Sequence, residues 1–221
     1  MTLTYRVVTS TIKSLTRILC RVDDAQLTRV PDRGPLIIVA NHVNFLEVPL
    51  LYTHLQPRSV TGFAKAETWD NPALGALFDL GRAIPLRRGE ADMDALRKGF
   101  AVLEEGGILA VAPEGTRSRH GRLLRARPGV VMIALHSGAT ILPIAHWGGE
   151  SFGKNIKRMK RTDFHVKVGQ PFRLQADGKM TRQARKQAAD EIMLQIAALL
   201  PQEYHGEYAG KGAALKYLQF T

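Results

Sequence analysis

Residues 35–47 read PLIIVANHVNFLE, an apolar run that is followed, after Asn41, by a histidine and, five positions later, by a carboxylate. A continuous apolar run of this length is typical of a strand buried on both faces of a sheet. On one helix, five positions turn through about 500° and leave two side chains roughly 140° apart. His42 and Glu47 can therefore meet only if His42 precedes a helix that begins near Asn44.

Two interpretations of this stretch compete. In the first, Glu47 holds a neutral His42 in one tautomer, which is the usual arrangement for a general base that acts on a hydroxyl. In the second, Asn44 caps the helix and Glu47, three positions later, completes a motif close to a capping box. The stretch by itself leaves both interpretations open.

The remaining sequence alternates strand-like and helix-like segments, which predicts an α/β fold. We expect a single domain with a mostly parallel central sheet flanked by helices. Residues 1–34 are predicted to form an N-terminal amphipathic helical segment, and residues 35–221 the α/β domain. Residues 151–161 are predicted to be an exposed basic loop. Helices are predicted over residues 44–55, 71–80, 91–105, 128–136 and 181–200, and strands in the runs PLIIVA, SVTGFAKA, AIPL, GILAVAP, TILPIAHW and FHVKVGQPF.

The N-terminal segment carries an apolar stripe at helical spacing, formed by Val8, Ile12, Leu15 and Leu19, with basic residues elsewhere on the helix. Such a helix either lies on a membrane surface or packs on the domain's own core. Cys20 is predicted to be a small hydrophobe on the same helix. The sequence contains no run of about 20 apolar residues, so no membrane-spanning helix is predicted.

The charge is strongly basic: 31 Lys and Arg against 20 Asp and Glu give a formal net charge of +11. This balance favours an anionic partner such as nucleic acid, an anionic membrane or a phosphorylated substrate. The basic residues lack the pattern of a recognition helix or of interleaved aromatic residues, so nucleic acid is not the expected partner. The single cysteine excludes an intrachain disulfide and a cysteine-based metal cluster, and no metal is predicted.

Two further segments place cations at the ends of predicted strands. Lys65 lies in GFAKAETW, and Arg87 and Arg88 follow the strand in GRAIPLRRG. Cations at strand ends are well placed to hold a phosphate. Taken singly, each is more often a solvated surface charge.

The segment VAPEGTRSRHG is the most specific signal in the chain. After a buried strand, Gly115 allows close backbone approach, Thr116 offers a hydroxyl, and Arg117 offers a guanidinium fork that matches phosphate oxygens. A strand-ending turn would explain the proline and the glycine but not the whole string. In the later segment ILPIAHWG, His146 is predicted to be a structural histidine rather than a second active one.

Together, the four segments NHVNFLE, GFAKAE through AIPLRR, APEGTRSRHGRL and ILPIA resemble, in order and spacing, the four motif blocks of the lysophospholipid acyltransferase superfamily. Bacterial 1-acylglycerol-3-phosphate acyltransferases typify this superfamily. The resemblance covers residues 35–147. It implies transfer of an acyl group from acyl-CoA or an acyl carrier protein to a lysophospholipid hydroxyl. No covalent acyl-enzyme and no cofactor are implied.

The resemblance also implies residue roles. His42 is the expected general base and Glu47 its partner. Leu142 and Pro143 match the fourth block, which helps to shape the acyl site. It further implies a peripheral enzyme on an anionic membrane surface, at the cytoplasmic face of the inner membrane. The residues expected to bind the acceptor and its phosphate are Lys65, Arg88, Glu114, Gly115, Thr116 and Arg117.

The chain departs from the family pattern at two positions: Glu47 stands where aspartate is usual, and Asn44 where serine or threonine is usual. Activity is expected to be retained, because Glu47 keeps the charge. Two alternatives stay open: an acyltransferase with another acceptor, such as a lyso-ornithine lipid, and a lipid-binding protein whose catalytic pair has decayed.

Overall fold

The apolar run after Pro35 forms the central strand β2 (Leu36–Ala40) in a computed structural model that describes residues 3–89, 92–176, 178–212 and 215–221. Every residue of β2 is buried. Successive side chains of a strand point to opposite faces, so Ile37 packs into one hydrophobic core and Ile38 into a second one across the sheet. This two-sided burial explains why the run is apolar throughout.

The sheet has the order β1-β7-β6-β2-β5-β3-β4, and β8 and β9 join it beside β6. Strands β2 to β6 are parallel to their neighbours within this group, so their carboxyl ends share one edge, which we call the carboxyl edge. β7 is antiparallel to β6 and parallel to β1, so β7 and β1 both begin at the carboxyl edge. The strands other than β2 are β1 (Cys20–Asp23), β3 (Val60–Lys65), β4 (Ile84–Leu86), β5 (Ile108–Val111), β6 (Thr140–Trp147), β7 (Thr162–Val168), β8 (Phe172–Leu174) and β9 (Leu218–Phe220).

Helices cover both faces of the sheet. The helices are α1 (Leu3–Leu19), α2 (Glu47–His54), α3 (Pro72–Leu80), α4 (Met93–Glu104), α5 (Gly129–Ser137), α6 (Phe152–Lys157) and α7 (Arg182–Ala197). Buried residues of α4, α5 and α7 contribute to one core, whereas those of α2 pack into the other. The predicted α/β fold, with a mostly parallel central sheet flanked by helices and an N-terminal helix, is confirmed.

Several local predictions differ from the structure. The run FHVKVGQPF is not one strand, because Gly169 to Pro171 separate β7 from β8 and proline offers no amide for a strand ladder. Cys20 begins β1 instead of ending the N-terminal helix. The predicted basic loop contains the short helix α6, which is anchored by the buried Phe152. The helix predicted to start at Ala91 is described from Met93 onward, and Ala91 itself lies outside the described residues.

Helix α1 packs on α2, where the Gln56 amide donates a hydrogen bond to the Tyr5 hydroxyl. Of the predicted apolar stripe, Val8, Ile12 and Leu19 are partly covered, whereas Leu15 is 53% exposed. Most of the stripe therefore faces the protein. A different apolar face of α1 is exposed, and it consists of Leu3, Val7, Leu15 and Ile18. Within the described ranges, no helix combines the length and the apolar character that are needed to cross a bilayer.

Candidate active site

His42 lies two residues past the end of β2, in the loop of residues 41–46 that we call the His42 loop. Its Nδ1 atom lies 3.5 Å from Oε1 of Glu47, and its side chain is 16% exposed. A carboxylate beside Nδ1 favours the tautomer in which Nδ1 carries the proton, which leaves Nε2 as the basic nitrogen. The two residues meet as the sequence predicts, because His42 lies before the helix and Glu47 is its first residue.

The same Glu47 oxygen also accepts two backbone hydrogen bonds, from the amides of Val43 and Asn44. The amide of Asn44 lies 2.8 Å from Oε1. The catalytic and the capping interpretations are therefore not alternatives, because one oxygen makes both sets of contacts. Oε2 has no hydrogen-bond partner within the described ranges.

The predicted helix start at Asn44 is wrong. Helix α2 begins three residues later, after Leu46, whose side chain provides no cap. The Asn44 side chain accepts a hydrogen bond from the Leu46 amide and donates one to the Gly149 carbonyl. The Asn44 oxygen therefore closes a turn before the helix instead of capping it, and the Asn44 amide nitrogen joins this turn to Gly149.

The surroundings of Glu47 keep it charged. Burial by itself would raise the pKa of this carboxyl, but the His42 imidazole and the nearby His146 outweigh burial and lower the pKa to about 2. An ionised carboxylate beside an imidazole stabilises the imidazolium that forms when the ring takes up a proton. Glu47 thus carries the charge that a base–carboxylate pair requires.

His146 is a structural residue, in agreement with the sequence-based interpretation. It lies at the end of β6 and is 2% exposed, and burial lowers the pKa of its ring. Nε2 lies 2.6 Å from the Asn41 carbonyl oxygen, and the ring stacks on Phe164. The Asn41 side chain in turn exchanges two hydrogen bonds with the backbone of His146. Asn41 therefore joins the ends of β2 and β6, a role that the sequence did not reveal.

The PEGTR segment forms a loop over residues 113–119, the PEGTR loop, that holds the backbone of the His42 loop. The Ser118 amide donates to the His42 carbonyl at 2.7 Å, and the Arg119 amide donates to the Val43 carbonyl. In the other direction, the His42 amide donates to Oε1 of Glu114 at 2.8 Å. The backbone of His42 is thus hydrogen-bonded on both sides by one loop.

Glu114 is 2% exposed, and each of its oxygens accepts a backbone amide, one from His42 and the other from Leu124. Burial and, to a lesser extent, the charge of Glu47 raise the pKa of this carboxyl to about 7, against the lowering effect of the two amides. The sequence resemblance assigns Glu114 to acceptor binding. In the structure, Glu114 holds the backbone of His42 and Leu124 in position, and its contact with an acceptor stays a prediction.

Gly115 has a φ of +68°, a conformation that favours glycine, and a β-carbon there would lie 2.6 Å from Cδ of Arg127. The Arg127 amide donates to the Pro113 carbonyl, so Arg127 packs against the PEGTR loop. Arg127 lies outside the four motif segments, so the sequence did not predict this contact. Thr116 and Arg117 are exposed on the same loop.

Arg88 lies beside a cleft of about 310 Å³ that is lined by Ala66, Glu67, Asp70, Arg87 and Arg88. The cleft lies where β3 and β4 end, at the same edge as His42. Because neighbouring strands are about 4.8 Å apart, β4 is roughly 14 Å from β2. Lys65 pairs with Glu67 at 3.0 Å and is not among the lining residues.

Leu142 and Pro143 are buried inside β6. β6 pairs with β8 at Ile141 and with β7 from Ile144 onward. Pro143, which has no amide hydrogen, therefore sits where β6 changes partner, and its carbonyl accepts the Gly169 amide. Their contribution to an acyl site stays a prediction. In the described part of the chain, no group of three or more His, Cys, Asp or Glu could hold a metal ion.

The sheet is mostly parallel, a His–Glu pair follows β2, and the PEGTR loop, which follows the neighbouring strand β5, is hydrogen-bonded to the His42 loop. Together these features define an acyltransferase-type α/β domain. The profile described as Acyltransferase matches residues 21–147, more than half of the chain, and the chain belongs to this family.

Curated relatives agree with this class. The chain is 34% identical over 140 residues to a 1-acyl-sn-glycerol-3-phosphate acyltransferase of Limnanthes douglasii, covering 62% of this chain and 50% of the relative. It is also 34% identical over 115 residues to a lyso-ornithine lipid O-acyltransferase of Pseudomonas aeruginosa, covering 51% of this chain and 43% of the relative. The chain thus spans half or less of the length of these relatives.

The fold is similar to that of a solved structure, the 1-acyl-sn-glycerophosphate acyltransferase PlsC of Thermotoga maritima. The TM-score is 0.62 at 20% sequence identity, and the similarity covers 88% of this chain and 81% of the other. At this identity, the likeness establishes the shared fold.

Glu47→Gln separates the two functions of Glu47. The carboxamide oxygen can still accept the amides of Val43 and Asn44, so the start of α2 is kept, but the charge beside His42 is lost. We expect turnover in an acyl-transfer assay to fall by about 100-fold or more, with the near-UV circular dichroism spectrum unchanged. Wild-type turnover in Glu47→Gln would show that the carboxylate serves only the turn.

Glu114→Gln tests the raised pKa of Glu114. The pKa is about 7 in the folded protein and near 4.5 in the unfolded chain, so the unfolded state releases the proton first as pH rises. The wild type should therefore lose about 1–3 kcal/mol of unfolding free energy between pH 4.5 and pH 7, relative to the variant. Urea unfolding at several pH values measures this difference. Parallel pH profiles would contradict it and indicate that the two amides keep Glu114 ionised.

Proposed function

We propose that this protein transfers a fatty acyl group from an acyl thioester, acyl-CoA or an acyl carrier protein, to the free hydroxyl of a lysophospholipid. The preferred acceptor is 1-acylglycerol-3-phosphate, and the product is then phosphatidic acid. The observation that carries the proposal is the His42 Nδ1 atom at 3.5 Å from the buried, ionised Glu47. Two amides of the PEGTR loop also donate hydrogen bonds to carbonyls of the His42 loop and hold it in place.

The reaction uses His42 as general base. Nε2 takes the proton of the acceptor hydroxyl while the oxygen attacks the thioester carbonyl, and Glu47 stabilises the resulting imidazolium. The tetrahedral intermediate then collapses, the carbon–sulfur bond breaks, and the departing thiolate takes up the proton from His42. The products are an ester and a free thiol. No acyl group is attached to the protein and no cofactor takes part.

Binding of the acceptor phosphate is assigned to Arg88 and Arg117. Arg88 lines the cleft at the end of β4, and Arg117 lies on the PEGTR loop next to Ser118, which contacts the His42 backbone. Both lie at the carboxyl edge, and a guanidinium binds phosphate oxygens in pairs. The exposed Thr116 lies on the same loop, so it is also placed to bind the acceptor.

A second acceptor class is favoured by the mixed charge of the cleft. Glu67 and Asp70 line it together with Arg87 and Arg88. Glu67 already pairs with Lys65, and Arg87 with Asp92, which makes Asp70 and Arg88 the main candidates for binding a headgroup. A site with one charge of each sign suits a zwitterionic headgroup, such as the ammonium and carboxylate of a lyso-ornithine lipid.

Docking on a membrane is proposed through the exposed face of α1. Leu3, Val7, Leu15 and Ile18 are between 53% and 77% exposed and lie on one side of the helix. Arg6 and Arg17 are exposed beside this face, and cations next to an apolar face favour an anionic lipid surface. Such a peripheral enzyme would act at the cytoplasmic face of the inner membrane, where its donors are made.

His42→Ala should lower the rate of thiol release with an acyl thioester and lysophosphatidic acid by about 10²–10⁴-fold, because the base is lost. His136→Ala, on α5, is the matched control and should keep wild-type turnover. A wild-type protein that releases no thiol with any lysolipid would favour the decayed lipid-binding alternative, in which His42→Ala has no effect.

Arg88→Ala and Asp70→Asn distinguish the two acceptor classes. If the acceptor is lysophosphatidic acid, Arg88→Ala should raise the KM for it by about tenfold or more, because a charge-assisted hydrogen bond is lost. Asp70→Asn should leave this KM unchanged. If the acceptor is lyso-ornithine lipid, both substitutions should raise KM. The measurement is acyl transfer to each acceptor with each variant. Unchanged KM values in Arg88→Ala would remove this cleft from the acceptor site.

A further inference from the structure

A second exposed surface lies after the active-site loops, in residues 154–161, which read KNIKRMKR and which we call the basic segment. It carries five cations and no acidic residue. Met159 is 96% exposed and Ile156 is 46% exposed. No acidic side chain among the residues that the structure describes forms an ion pair with Lys154, Lys157, Arg158 or Lys160. Neither the core nor the proposed chemistry accounts for an exposed methionine surrounded by cations.

The basic segment projects beyond the active site at the carboxyl edge. Ala40 pairs with Ile144, and Ile144 pairs with Val168. β7 starts six residues before Val168, at Thr162, so its start extends about 20 Å past the level of Ala40. The basic segment directly precedes Thr162. It is therefore on the outer rim of the same edge that carries His42.

The end of α1 is fixed to this segment. The Arg161 guanidinium donates hydrogen bonds to the carbonyls of Arg17 and Cys20, at 2.6 and 2.7 Å. Leu15 and Ile18, in the last turns of α1, are 53% and 65% exposed. The basic segment is thus bonded to the carboxyl-terminal end of α1, whose last turns expose apolar side chains.

The residues just before the basic segment are connected to the His42 loop. The Asn44 side chain donates to the Gly149 carbonyl at 2.7 Å, and Phe45 packs edge-on against Phe152 at the start of α6, with 5.7 Å between ring centroids. Phe45 itself is 56% exposed. A surface that binds at the basic segment is therefore held in a fixed position relative to His42.

We propose that the basic segment is a second membrane-contact site, in which Lys157, Lys160 and their neighbours bind anionic lipid headgroups while Met159 enters the interface. Cations beside an apolar tip match an anionic membrane, because long basic side chains reach headgroups while the apolar group is buried below them. Together with α1, the segment would turn the carboxyl edge towards the bilayer. This orienting role rests on the proposed function, whereas the binding of lipid by the segment does not.

The test compares two pairs of variants on vesicles of phosphatidylcholine with and without phosphatidylglycerol. Lys157→Gln/Lys160→Gln removes two charges from the basic segment, and Arg182→Gln/Lys186→Gln removes two exposed charges from α7, across the sheet from α1. Each cation near an anionic surface is worth about fivefold in binding. We expect co-sedimentation with anionic vesicles to weaken by about tenfold or more in the first pair and less than about twofold in the second. Met159→Ser should weaken it as well, whereas Met132→Ser on α5 should not.

Turnover with the same variants separates the two proposals. Transfer to a lysolipid embedded in anionic vesicles should fall in Lys157→Gln/Lys160→Gln, whereas transfer to a short-chain, water-soluble lysolipid should not. Equal vesicle binding by the two double variants would overturn the membrane site. A loss that appears only with an acyl carrier protein as donor, and without vesicles, would overturn it in favour of carrier docking. A wild-type protein that binds vesicles but transfers nothing would refute the proposed function alone.

Discussion

The active site depends on a single carboxylate oxygen. Between the buried strand β2 and helix α2, the chain turns within six residues, and the buried amides of that turn need acceptors. Oε1 of Glu47 accepts the amides of Val43 and Asn44, and these bonds fix the oxygen at 3.5 Å from the His42 ring. The charge that satisfies the turn is therefore also the charge that orients the imidazole. One oxygen of Glu47 therefore makes both the capping contacts and the contact with His42.

Two buried glutamates next to the same histidine have opposite pKa shifts, and their partners explain why. Glu47 faces two imidazoles, which favour the ionised form and lower its pKa against the effect of burial. Glu114 faces only neutral amides and the negative Glu47, so burial dominates and its pKa rises. The first group supplies charge to the site. The second supplies hydrogen-bond acceptors to the backbone of His42 and Leu124 and keeps the His42 and PEGTR loops together.

Signals that are local in sequence predicted the fold well, and long-range contacts account for the errors. The run after Pro35 identified β2, and Asn71 and Thr181 cap α3 and α7 within one residue of the predicted starts. The predicted start at Asn44 failed because the Asn44 oxygen closes a turn with the Leu46 amide before the helix begins, while its amide nitrogen donates to Gly149, 105 residues away. In the site, His42 and the PEGTR loop each follow a predicted strand of one parallel sheet, so their position at one edge was predictable from the sequence. Asn41 and Arg127 were missed because their roles exist only once β2, β5 and β6 lie side by side.

The geometry also explains why the four motif segments leave the acceptor undetermined. The His42–Glu47 pair lies at the end of β2, whereas the charged cleft lies at the end of β4, roughly 14 Å away by strand spacing. The two regions share an edge, but they are three strands apart in the sheet. Charges in the cleft can therefore change without disturbing the His42–Glu47 pair. This independence agrees with the relatives of the chain, which include proteins named for a glycerophosphate acceptor and one named for a lyso-ornithine lipid. The proposed function therefore assigns the chemistry to the loops after β2 and β5, and the contacts that distinguish one headgroup from another to the cleft after β3 and β4.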